Sequence, residues 1–131
     1  MTPTQRSPLL LDTTSLLAIG RSQWLAGFLE ATHVRVDRPV LTPAVCLAFA
    51  GKHRPHLIKH IGLLPAVSVI PFDFSHALSY EEWTWPDLDV AHAVATALPS
   101  AEHPEGVVIV TGQPELYQRW PHVRTRSLPT P

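Results

Sequence analysis

The run Val107-Val108-Ile109-Val110 constrains the fold most. Consecutive β-branched apolar residues favour a strand, and this one has no polar face to give to water. A strand of that kind has to be covered on both sides, as in a parallel sheet between helices. Leu9-Leu10-Leu11 is a second apolar run, ending in the polar turn Asp12-Thr13-Thr14, and Val67 to Phe72 reads as a third buried strand. Helical signals lie between them. Ser15 to Ile19 forms a short helix; Ser22 then N-caps another, with Trp24, Leu25, Phe28 and Leu29 on one face. Pro43 suits the first turn of a helix that runs through Ala50 and is closed by Gly51. Further helices are expected from Pro55 to about Ile61, from Ser75 to Glu82 and from Glu115 to Trp120. The clearest helix is Asp87 to Leu98, with Asp87 as N-cap and Asp89 in the first turn. Val34-Arg35-Val36 and Val40-Leu41 read as short extended pieces. Val123 to Leu128 reads as an edge strand with its arginines outward. Strands alternating with helices give βαβ units, so the expected class is α/β: a three-layer α/β/α sandwich with a mainly parallel sheet of four or five strands.

The chain has 131 residues, which fits one domain with its core at about residues 8–128, and residues 1–7 and 129–131 as frayed ends. Its 10 basic and 11 acidic residues leave a net charge of −1, which argues against a general polyanion binder. The single cysteine, Cys46, excludes an internal disulfide and a thiolate zinc knuckle, and its apolar neighbours read it as a buried small side chain. No stretch approaches the roughly 18 consecutive apolar residues of a membrane helix, and the N-terminus lacks the pattern of a signal peptide. The expectation is a cytoplasmic protein with no membrane contact.

In open parallel sheets the ligand site lies beyond the carboxyl ends of the strands. Asp12 and the segment Thr111 to Gln113 fall at such ends, and Asp87 and Asp89 open a helix that can point the same way. Carboxylates gathered in this manner suit Mg²⁺ or Mn²⁺, which prefer oxygen ligands. An ion so held can activate water against a phosphodiester.

Four segments carry a resemblance. They are Leu-Leu-Leu-Asp12-Thr-Thr14-Ser-Leu-Leu-Ala, Leu41-Thr-Pro43-Ala-Val-Cys-Leu-Ala-Phe49-Ala, Leu88-Asp89-Val-Ala-His-Ala-Val-Ala, and Val-Val-Ile-Val-Thr111-Gly-Gln113-Pro-Glu-Leu-Tyr117. In order and spacing the chain resembles the PIN-domain nucleases of the VapC toxin type over nearly its whole length. The resemblance implies a metal-dependent endoribonuclease with four acids, a small antitoxin that fills the cleft, often with an arginine, and a homodimer. Two of those acids are present, Asp12 and Asp89. The glutamate of the second motif is replaced by Phe49, and the aspartate of the fourth by Gln113. Phenylalanine cannot ligate a metal, and an amide oxygen is a poorer ligand for a hard cation. With half the carboxylates, the attraction for a dication falls by about half, because ligand charge and count set affinity.

The expected metal and catalytic residues are therefore Asp12 and Asp89, with Asp87, Thr14, Thr111 and Gln113 in support. Asp87, Glu115 or His92 are candidates to replace the missing acids. Their plainer readings are N-cap, first-turn dipole partner and packed histidine. Lys52, Arg54 and Lys59, with His53, His56 and His60 among them, form a basic cluster that can meet phosphates. Trp83 and Trp85 can stack on bases, cover the core or meet a partner. Three functions follow. One is a PIN-like protein of toxin–antitoxin descent with an eroded metal site that binds RNA or a protein partner. Another is an active Mg²⁺- or Mn²⁺-dependent ribonuclease toxin. The last is an interaction subunit unrelated to RNA.

Overall fold

The computed structural model describes residues 8–34, 40–83 and 87–128. The expected extended piece at 34–36 falls mostly outside these residues, as do Trp85 and the terminal segments. Five strands form one sheet: β1 (Leu9–Leu11), β2 (Val40–Pro43), β3 (Val67–Ile70), β4 (Val108–Thr111) and β5 (Thr125–Ser127). Their order is β3-β2-β1-β4-β5, and every pairing is parallel. Helices α1 (Thr13–Leu17), α2 (Gln23–Val34), α3 (Ala44–His53), α4 (Leu57–Gly62), α5 (Phe74–Glu82) and α6 (Leu88–Ala97) flank the sheet, and Pro114–Tyr117 forms a 3-10 turn. The fold is the expected α/β/α sandwich. No helix among the described residues is long and apolar enough to cross a membrane.

Leu9, Leu10 and Leu11 are all fully buried, as doubly covered strands require, and Ile109 and Val110 lie beside them in the same state. The register places Leu10 opposite both Leu41 and Ile109. From β1 the chain builds outward through β2 to β3, then returns to place β4 on the other side of β1. The lateral direction thus reverses between β1 and β4, and the crevice beyond their carboxyl ends is the place where such sheets bind ligands.

Several local expectations need correction. β3 is an edge strand, not a buried one; Ser68 and Val69 face solvent, and no strand among the described residues lies beyond. Pro43 ends β2 and precedes α3, and the helix continues through Gly51 to His53. Gly51 serves a close approach instead: a Cβ there would lie 2.7 Å from the Ile58 side chain. α4 begins at Leu57, two residues after Pro55, because His56 takes the left-handed conformation at φ 74° and breaks the run. Asp87 sits at the N-cap position of α6, yet it makes no side-chain capping bond and is exposed.

Candidate functional site

Asp12 leaves β1 at the reversal point and immediately caps α1. Its Oδ1 accepts the backbone N–H of Ser15 at 2.9 Å and the Thr14 hydroxyl at 2.7 Å. Its Oδ2 accepts the Tyr117 hydroxyl at 2.7 Å. The residue is 1% exposed. The sequence marks Asp12 as an expected metal ligand at a strand end and gives Tyr117 no role. A phenol six positions after Thr111, in a turn that packs back on the sheet, was the available signal, since a buried Tyr hydroxyl needs an acceptor.

Thr14 and Thr111 extend this network. The Gln113 N–H donates to Thr111 Oγ1 at 3.0 Å, and the Thr111 and Thr14 hydroxyls lie 3.0 Å apart. A hydroxyl has one proton. Thr14 spends its proton on Asp12, so Thr111 donates to Thr14, which also accepts the Gly112 N–H at 2.7 Å. The chain of donors ends on the Asp12 carboxylate, so each bond polarises the next toward a negative charge. Burial and the Asp12 charge both raise the Tyr117 pKa, which keeps the phenol a donor.

Asp89 stands half-buried in the first turn of α6, and its Oδ2 accepts the Thr13 hydroxyl at 2.6 Å. Adjacent residues of α1 thus engage the two acids, Thr13 on Asp89 and Thr14 on Asp12. The Cys46 thiol, buried and raised in pKa chiefly by that burial, points at the Asp89 carbonyl at 3.3 Å. Cys46 is the buried small side chain expected.

The other sequence-derived candidates are not gathered here in the same way. Gln113, just before the 3-10 turn, and Glu115 on it are exposed, Asp87 is exposed, and Phe49 is 36% exposed on α3. His92 is fully buried. Its Nδ1 accepts the Val45 N–H at 3.4 Å, which leaves Nε2 to donate to the Pro71 carbonyl at 3.2 Å. Burial first, then the neighbouring His76, depress its pKa to about 4, so it is a neutral packed histidine. Trp83 packs on the core and meets Trp120 edge-on at 5.5 Å. Lys52, His53, His56, Lys59 and His60 are exposed at the distal end of α3 and on α4. The ten residues of α3 carry that cluster about 15 Å from the strand ends. Arg54 belongs to it in sequence, but its Nη1 donates to the carbonyls of Leu17 and Ile19, behind α1.

A Mg²⁺ or Mn²⁺ ion wants about six oxygens with ample negative charge. Asp12 is buried with both oxygens already bonded, and Asp89 has one oxygen bonded to Thr13. Among the described residues, no three His, Cys, Asp or Glu side chains are grouped to hold a metal. The described residues do not fit the ion that the acidic motifs imply.

No protein-family model matches the chain, and no curated protein matches it in sequence. Solved structures do match. A chain in the crystal structure of VapBC2 from Rickettsia felis bound to a DNA fragment from their promoter aligns at TM-score 0.61 and 14% identity, covering 92% of this chain and 98% of that one. A chain in the crystal structure of DNA-bound VapBC from Salmonella typhimurium aligns at the same TM-score and identity, covering 95% and 100%. The fold is that of the PIN-like VapC proteins.

Proposed function

We propose that this chain, with its VapC-like fold, is a toxin–antitoxin relative that acts by binding and no longer cleaves RNA efficiently. The observation that supports the reading is the short supply of acid at the reversal point. Among the described residues, Asp12 and Asp89 stand there without a third carboxylate, histidine or cysteine grouped with them. Metal-assisted phosphodiester cleavage needs the ion both to lower the pKa of water and to neutralise the leaving oxygen. Two carboxylates already engaged by Tyr117, Thr13 and Thr14 provide little of the charge that either step needs.

Binding has better support. A groove of about 410 Å³ lies between α2 and α4, lined by Ile19, Ala26, Leu29 and Leu64 with Glu30 and His60 at its margin. An apolar groove beside helices suits an amphipathic segment of a protein partner, such as an antitoxin. Phe74 and Leu78 on α5, 77% and 48% exposed, offer a further apolar face for a homodimer. Lys52 and Lys59 offer phosphate contacts for RNA. An arginine from a partner would find Asp89 more readily than Asp12, because Asp12 is sealed.

The test is cleavage of labelled single-stranded and structured RNAs with Mg²⁺ or Mn²⁺, comparing wild type with Asp89→Ala and with Asp12→Ala. The expected result is no cleavage above background in any of the three, with a protein partner or RNA still bound by the wild type. Cleavage by wild type that both substitutions abolish would make this an active metal-dependent endoribonuclease. Absence of cleavage together with absence of any RNA binding would leave an interaction subunit unrelated to RNA.

A further inference from the structure

We infer that the Tyr117 hydroxyl stands on Asp12 where a cation would stand, and that it has made this acid a structural clasp across the reversal point of the sheet. The inference rests on the reading above that the acid pair has lost its metal, but its test uses neither RNA nor a partner.

Leaving a carboxyl group that is 1% exposed without hydrogen-bond partners would be costly. Asp12 avoids that cost with three donors at 2.9, 2.7 and 2.7 Å, lengths typical of bonds to a charged acceptor. The donors come from separate pieces of chain. Ser15 and Thr14 belong to α1, and Tyr117 belongs to the 3-10 turn after β4. Through Thr14 the same carboxylate reaches Gly112 and Thr111 at the end of β4. One side chain therefore joins β1 and α1 to β4 and the turn beyond it, on both sides of the crevice.

In an acidic metal cluster the dication has that joining role, because it holds together carboxylates that repel each other. A phenol is a neutral donor and suits a single acid. The need is mutual: Tyr117 is 3% exposed, so its hydroxyl has to find an acceptor, and Asp12 provides it. Phenylalanine at 117 would keep the packing and remove only the bond.

The experiment is thermal unfolding of the full chain in Mn²⁺ and in EDTA, for wild type, Tyr117→Phe and Asp12→Asn. Electron paramagnetic resonance of Mn²⁺ added to the wild type accompanies it. Wild type is expected to melt at one temperature in both conditions and to leave the Mn²⁺ signal that of the free ion. Tyr117→Phe is expected to lower Tm by roughly 5–10 °C, the loss of a bond to a charged acceptor in a domain of this size. Asp12→Asn is expected to lower Tm as well, since an amide presents only one acceptor atom to three donors. A metal-binding acid behaves oppositely: removing its charge relieves repulsion and raises the Tm of the metal-free protein. A saturable rise of wild-type Tm with Mn²⁺ would overturn the inference, as would Tyr117→Phe melting like wild type or Asp12→Asn melting higher. If either variant does not fold, the wild-type Mn²⁺ titration decides alone.

Discussion

His92 shows what burial does to a titratable residue that the sequence left open between ligand and packing. Its ring lies between the Val45 N–H and the Pro71 carbonyl, with Phe72 edge-on at 5.1 Å and His76 at 4.7 Å. Protonation at Nδ1 would replace an acceptor by a donor facing an N–H. The folded pKa of about 4 lies below the unfolded value of 6.5, so the unfolded chain binds the proton more readily. The contribution of neutral His92 is thus complete above pH 6.5 and is lost as pH falls toward 4. Its full size is roughly 3 kcal/mol. The check is urea unfolding of wild type and His92→Gln across that window. The gap between them should shrink steadily as the pH drops, and a constant gap would refute the assignment. At the same scale, Asp12 and Asp89 were legible from position alone, because strand ends and helix starts have sequence signals. The pairings of Tyr117 and Thr13 with them were not, since partners distant by 105 and 76 residues leave no local pattern.

Among the elements, α1 and α3 illustrate how a charged residue leaves its sequence cluster. The Arg54 guanidinium turns inward and satisfies carbonyls at the end of α1, where a short helix leaves acceptors unpaired. Arg54→Ala should therefore cost about 1–3 kcal/mol by leaving those carbonyls without a charged donor. Lys52→Ala and Lys59→Ala should stay within about 0.5 kcal/mol of wild type, as solvated side chains do. Chemical denaturation of the three variants separates the cases, and equal stabilities would remove the structural role of Arg54. Most elements were readable because hydrophobic runs and caps are local: Ser22 caps α2 as expected, with the Leu25 N–H on its hydroxyl at 3.1 Å. The errors came from tertiary context. Gly51 reads as a helix stop until the approach of Ile58 explains it, and β3 reads as buried until its place at the sheet edge is known.

At the scale of the whole molecule the two chemistries lie at opposite ends of one sheet. The acids sit beyond the carboxyl ends of β1 and β4, and the basic side chains sit where α3 has run back toward the amino ends. A net charge of −1 supplies no general attraction for polyanions, so RNA affinity would need a local basic patch, and that cluster is the candidate the sequence offers. RNA held there would rest about 15 Å, one length of α3, from the acids. Binding and the acidic end should then be separable. Lys52→Ala with Lys59→Ala is expected to weaken retention of single-stranded RNA and to reduce the slope of log affinity against log salt by about 1.4, the value for two phosphate contacts. Asp89→Asn is expected to leave both quantities unchanged. Filter binding across a salt series measures them together. If Asp89→Asn strengthens RNA binding while the lysine pair has no effect, RNA crosses the acidic crevice instead, and repulsion by the two acids governs its affinity.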